Sequence, residues 1–190
     1  MKIILVGYPG SQSIVSISRY LTKKYLPDFD IHYLNYVGSI EKWSTFVGIY
    51  LTNFTDKFII LALDDYLISA PINKEVYEKA LKQIKENKDV ACVKLCANTW
   101  EEHLGYPVTT QYTIWDREFL IELLSKTTSP WHFEITGSEI FRKSGKHSLC
   151  GSNAAIEYNT SSCLSSRWIG IDLKGLKEED IKHLKENNYV

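Results

Sequence analysis

The stretch Phe58-Ile59-Ile60-Leu61-Ala62-Leu63-Asp64-Asp65-Tyr66-Leu67-Ile68 carries six uninterrupted apolar residues into two adjacent carboxylates. An apolar run of strand length, bounded by polar residues, suits a strand buried on both faces in the middle of an α/β sheet. The acidic pair then stands at that strand's carboxyl end, where ligands of open α/β sheets bind. Two carboxylates side by side repel unless a cation lies with them, and a divalent metal carrying a diphosphate answers that need. A solvated turn is the competing reading, because Asp often follows strands. The apolar continuation Tyr66-Leu67-Ile68 argues against a simple polar loop.

Working outward, residues 2–7 read as a first buried strand and Tyr8-Pro9-Gly10-Ser11 as a tight loop. Ser11 or Ser13 then caps a helix to about residue 25, with Ile14, Ile17 and Leu21 at helical spacing. This opening is of the nucleotide-binding kind, yet the loop has neither the three-glycine dinucleotide fingerprint nor the Gly-Lys-Ser/Thr end of a P-loop. Gly7, Tyr8 and Pro9 are therefore read as contacts to a base or ribose. Residues 31–36 form a second strand, and a helix over 40–53 turns Trp43, Phe46, Val47 and Tyr50 inward. Asn73 caps a helix over 74–86 with Val76, Ala80 and Ile84 as its apolar stripe. Strands follow at 90–97 and 110–115, separated by an irregular segment containing Trp100, His103 and Tyr106. Asp116 caps a helix burying Phe119, Leu120, Leu123 and Leu124, and the loop from Ser129 leads into a helix ending near Gly145. A strand over 148–158 and a surface helix over 176–188 close the chain. Strands and helices mostly alternate, which implies one α/β sheet with helices on both faces.

At 190 residues and 44% hydrophobic composition the chain can bury a substantial core in one domain. Its formal net charge of -1, spread along the sequence, excludes the basic footprint of a nucleic-acid binder. The 12 Tyr and 5 Trp fill a core or offer flat faces on which sugars and bases stack. Cys92, Cys96, Cys150 and Cys163 lack paired metal spacing and read as reduced thiols, with Cys92 and Cys96 on one face of a strand. No signal peptide and no run of roughly 20 apolar residues is visible, so a cytoplasmic protein without a membrane span is expected.

Three motifs, Leu61-Ala62-Leu63-Asp64-Asp65-Tyr66, Gln111-Tyr112-Thr113-Ile114-Trp115 and the run from Ser129-Pro130-Trp131-His132-Phe133-Glu134 to Glu139, resemble small nucleotide-sugar glycosyltransferases of the GT-A fold. The chain looks particularly like the glycosyltransferase domains of large chlorella viruses and like bacterial relatives, and a viral origin would place it in a host cytoplasm. The resemblance implies a single GT-A-like, Rossmann-like α/β domain over residues 1–190, with a mostly parallel mixed sheet. It also implies a UDP-sugar donor, a glycan or glycoprotein acceptor, and Mn²⁺ or Mg²⁺ as cofactor. By analogy with the Asp-x-Asp motif, Asp65 holds the metal and Asp64 reaches the ribose. The pair here is adjacent rather than spaced, which leaves open which of the two touches metal. The second motif makes Gln111 a donor contact. A third metal ligand in this fold commonly comes from late in the chain, so His147 is the candidate, ahead of His132.

The chemistry of glycosyl transfer adds its own requirements. Negative charge builds on the leaving diphosphate, which a divalent cation neutralises. Displacement with inversion needs a base for the acceptor proton, with Glu134 first and Glu139 second at the helix after Pro130. Either could instead be a favourable first-turn charge. Trp131 offers a stacking platform for a sugar or else anchors the core, and Arg167 could clamp the diphosphate or simply lie at the surface. A phosphoacceptor receiver domain would carry its acidic pair after the first strand, where Gly7-Tyr8-Pro9 stands, and a dehydrogenase would need the missing glycines. A non-catalytic module that holds a nucleotide-sugar or glycan in the same cleft remains the alternative.

Overall fold

The computed structural model describes residues 1–9, 14–96, 106–151, 153–159 and 173–190. Phe58 to Leu63 is indeed a strand, β3, buried from Ile59 onward. It lies between β1 (Lys2–Val6), parallel to it, and β6 (Thr113–Asp116), antiparallel to it. The full sheet runs β2-β1-β3-β6-β5-β7, with β2 at Asp30–Leu34, β5 at Val90–Lys94 and β7 at His147–Cys150. Only β6 opposes the others, so the sheet is mixed but mostly parallel.

Because side chains alternate along a strand, the sheet presents two apolar faces. Ile3, Leu5, Ile60, Ala62 and Ile114 pack on one side with Ile17 and Leu21 of α1 (Val15–Tyr25) and Ala80 and Ile84 of α3 (Lys74–Glu86). Ile4, Val6, Ile59, Leu61 and Trp115 pack on the other. There they meet α2 (Trp43–Leu51), α4 (Arg117–Ser125) and α5 (Pro130–Lys143). Helices therefore cover both faces, as the alternating pattern implies.

Helix starts follow the capping chemistry. Asn73 accepts the Val76 N–H at 3.2 Å, Asp116 the Phe119 N–H at 3.1 Å, and Ser129 the His132 N–H at 3.1 Å ahead of Pro130. Helix α5 stops at Gly145, whose φ of +72° favours glycine. Position 14 precedes α1 without a side-chain cap, and Ser11 and Ser13 lie outside the described residues.

Several boundaries move. The helix over 40–53 opens as a single 3-10 turn, Ile40–Lys42, before α2. Its buried face is Trp43, Ser44, Val47, Gly48 and Leu51, while Phe46 is 38% exposed and Tyr50 half-buried. The reason is helix packing: α2 lies against α4, and a Cβ on Gly48 would stand 3.7 Å from Leu124. The strand over 148–158 divides into β7 and β8 (Tyr158–Asn159), and β8 pairs with β4 (Leu67–Ile68) as a separate two-stranded ladder. The last helix, α6 (Glu178–Glu186), is more than surface, since it buries Asp180 and Leu184. Cys92 and Cys96 are buried thiols and Cys150 an exposed one, none of them in a disulfide. Cys96 lies beyond the end of β5, and Cys163 lies outside the described residues.

Candidate functional site

The parallel strands β1 and β3 end side by side, which brings the loop after β1 against the acidic pair. The Asp64 N–H bonds the Val6 carbonyl at 3.1 Å, and the Gly7 N–H bonds the Leu34 carbonyl at 2.9 Å. The Trp43 indole N–H donates to the Gly7 carbonyl at 3.2 Å, so α2 fixes this loop from behind. Asp64 is only 3% exposed, whereas Asp65 is half-buried and its Oδ2 accepts a hydrogen bond from the Tyr8 hydroxyl at 3.1 Å. Tyr8 also meets the Trp131 ring edge to face, with centroids 6.4 Å apart. Trp131 is 54% exposed, so it is not a core anchor. Pro9 follows Tyr8 as a half-buried residue of the same turn.

The third wall comes from residues 106–112, ahead of β6. The Leu63 N–H bonds the Thr110 carbonyl at 2.9 Å, and the Thr110 and Tyr66 hydroxyls stand 3.5 Å apart. Gln111 is half-buried, and its Oε1 accepts from the Cys96 thiol at 2.9 Å. Fully buried Tyr112 donates its hydroxyl to the Tyr66 carbonyl at 3.3 Å. Burial is the largest cause of a Tyr112 pKa raised above the ordinary phenol value, and Asp64 and Asp65 push in the same direction. Its hydroxyl thus remains a donor.

Glu134 joins this wall from α5. Its Oε1 accepts from the Thr110 backbone N–H at 2.7 Å, the Thr110 hydroxyl at 2.8 Å and the Thr109 hydroxyl at 3.3 Å. The donors come from the neighbouring segment and not from the helix's own amino terminus.

Two expected members stand elsewhere. Glu139 is exposed, in the carboxyl-terminal half of α5, away from the helix amino end invoked for it. His147 opens β7 and is exposed; it pairs with Val90, at the amino ends of the strands. Cys92 is level with Trp115 and Ile59, so His147 sits about six residues, or roughly 20 Å, before the end of β3. It cannot join Asp65 in one coordination sphere. His132 uses Nδ1 to accept the Thr128 N–H at 3.1 Å. Arg167, Trp100 and His103 lie outside the described residues.

Among the described residues no group of three or more His, Cys, Asp or Glu side chains converges as a metal site. The adjacent carboxylates still fit the hard divalent cations, because Mg²⁺ commonly takes one or two carboxylates and completes its shell with substrate phosphates and water.

Among solved structures, a glycosyltransferase involved in glycosylation of the major capsid of the chlorella virus PBCV-1 matches with a TM-score of 0.52 and 12% identity, over 97% of this chain and 98% of that one. The chain has a GT-A-like fold. A cytidylyltransferase from Leptospira borgpetersenii aligns over 98% of this chain and 94% of that one, with a TM-score of 0.49 and 10% identity. Staphylococcus aureus TarS, solved with UDP, aligns over 83% of this chain and 59% of that one, with a TM-score of 0.47 and 11% identity. No protein-family model matches the sequence, and no curated protein is significantly similar to it. Among the described residues no helix of this GT-A-like chain is long and apolar enough to cross a membrane.

Trp43, Tyr66, Thr109 and Thr110 are site residues that sequence reasoning missed. Each matters through a backbone or side-chain partner at least 24 residues away, as with Thr110 and Glu134. Tyr66 beside the acidic pair, and Thr109 and Thr110 beside Gln111, carried the local signals.

Proposed function

We propose that the protein is a metal-dependent glycosyltransferase moving a hexosyl group from a UDP-sugar to a glycan hydroxyl. The observation that carries the reading is the half-buried Asp65, bonded to Tyr8 at the carboxyl end of β3, with the exposed Trp131 ring beside it. Carboxylates at strand ends are suited to a cation with its diphosphate, and an exposed indole face is suited to a sugar or base. Asp65 would hold Mn²⁺ or Mg²⁺, with the more buried Asp64 turned to the ribose. The cation would act as a Lewis acid on the departing diphosphate. Tyr8 orients Asp65, Gly7, Tyr8 and Pro9 flank the nucleoside, and Gln111 lines the opposite wall.

The test is thermal stabilisation by UDP and UDP-sugars with and without Mn²⁺. Ligand at a hundred times its dissociation constant stabilises by about 2.7 kcal/mol, which raises the melting midpoint of a chain this size by roughly 5–10 °C. The shift should require Mn²⁺ and vanish in Asp65→Ala. Undiminished, metal-dependent UDP binding by that variant would move the metal site elsewhere. Tight binding with neither transfer nor donor hydrolysis would favour the binding module.

A further inference from the structure

Residues 106–112 run from the region before β6 to the acidic pair, and side chains from three elements hold almost every position. Buried Lys94 of β5 donates to the Tyr106 carbonyl at 2.8 Å, and Ser148 of β7 to the Pro107 carbonyl at 3.0 Å. The Val108 N–H donates to the Ser138 hydroxyl at 3.2 Å. Glu134 takes Thr109 and Thr110, as described above. At position 137 a Cβ would lie 3.4 Å from Val108 Cγ1, at the near limit of ordinary contact. Glu134, Gly137 and Ser138 are at i, i+3 and i+4, so one face of α5 is devoted to this strap.

We propose that Glu134 is a positioning residue, which clamps the strap so that Thr110 and Gln111 form a fixed wall beside Asp64 and Asp65, and is not the base of the reaction. Three donors on Oε1 hold that side of the carboxylate against the strap. The clamp reaches the acidic pair through one further hydrogen bond, because the Thr110 carbonyl accepts from Leu63, the residue before Asp64. The placement of Gly137 and Ser138 then has a single explanation with that of Glu134. The role in donor binding rests on the reading above, whereas the clamp itself does not.

The test compares Glu134→Gln, which keeps an acceptor oxygen without basicity, with Glu134→Ala and Thr110→Val. Amide hydrogen exchange over residues 58–65 and 106–112 reads the clamp directly, and titration with UDP and Mn²⁺ reads the site. Exchange of the Thr110 and Leu63 amides should quicken at least about tenfold in Glu134→Ala, by loss of charge-assisted bonds. UDP affinity should fall by a similar factor. Glu134→Gln should stay within about threefold of the parent in both readouts and in transfer, and Thr110→Val should be intermediate. Unchanged exchange in Glu134→Ala would overturn the clamp, whether or not the parent binds UDP. Transfer lost by roughly a hundredfold to ten-thousandfold in Glu134→Gln, with exchange and UDP binding intact, would overturn it in favour of the base.

Discussion

Asp180 fastens the last helix of the chain to the first, and removing its charge should be strongly destabilising. It is fully buried and accepts from Lys24 Nζ at 2.7 Å, from the Tyr20 hydroxyl at 3.1 Å and from the Tyr25 hydroxyl. Breaking a buried ion pair by removing one partner costs about 3–5 kcal/mol. Lys24 is 31% exposed and keeps Glu179 at 2.7 Å, so its own charge is not stranded, and the low end of that range, about 3 kcal/mol, applies to Asp180→Asn. At about 2–4 °C per kcal/mol for a chain of this size, the melting midpoint should drop by roughly 6–12 °C. Tyr20→Phe removes one bond and should cost about 1 kcal/mol.

The pH dependence has a definite sign. Burial pushes the Asp180 carboxyl up, but the bonds from Lys24, Tyr25 and Tyr20 outweigh it and leave the pKa below the ordinary value. A depressed carboxyl stabilises fully above its unfolded pKa of about 3.9 and loses that contribution as pH falls through the folded value. Burial lowers the Lys24 pKa, yet its bonds to Asp180 and Glu179 raise it overall, and burial with the Asp180 bond pushes Tyr25 up to about 12. Raised groups stabilise fully below their unfolded pKa values, here about 10, and lose that contribution as pH rises through the folded ones. The difference in midpoint between parent and Asp180→Asn should be flat from about pH 5 to 9 and shrink on both sides. Differential scanning calorimetry across pH measures it. A difference below about 1 kcal/mol at pH 7, or one that grows in acid, would refute the reasoning.

Two further outcomes follow from single contacts. Asp116→Ala removes the cap of α4 and should cost about 1 kcal/mol, seen as a midpoint lower by roughly 2–4 °C, and Asp116→Asn should recover most of it. Trp131→Ala removes an exposed ring and should leave the midpoint within about 2 °C while weakening sugar or nucleotide binding by roughly tenfold, read by calorimetric titration; a large loss of stability with unchanged binding would return Trp131 to a packing role.

The strands and helices were legible because their signals are local. An unbroken apolar run reads as a buried strand, and Asn73, Asp116 and Ser129 cap their helices through bonds three residues long. The acidic pair was legible for the same reason, being attached to β3 in sequence. Small deviations came where packing overrode periodicity, as when α2 met α4 through Gly48 and left Phe46 at the flank.

Which side chains meet that pair is a matter of strand order and direction, and these are fixed by long-range pairing that no window of sequence reports. The parallel register of β1 with β3 carries Tyr8 to Asp65 across 57 residues. The parallel register of β5 with β7 puts His147 at the far end of the sheet, although its residue type suited a metal as well as any. Glu134 and Glu139 look alike in a helix, and only the strap lying against one face of α5 tells them apart. Asp180 reads as one more acid in a solvated helix until α1 is packed against it and Tyr20, Lys24 and Tyr25 close around its carboxylate.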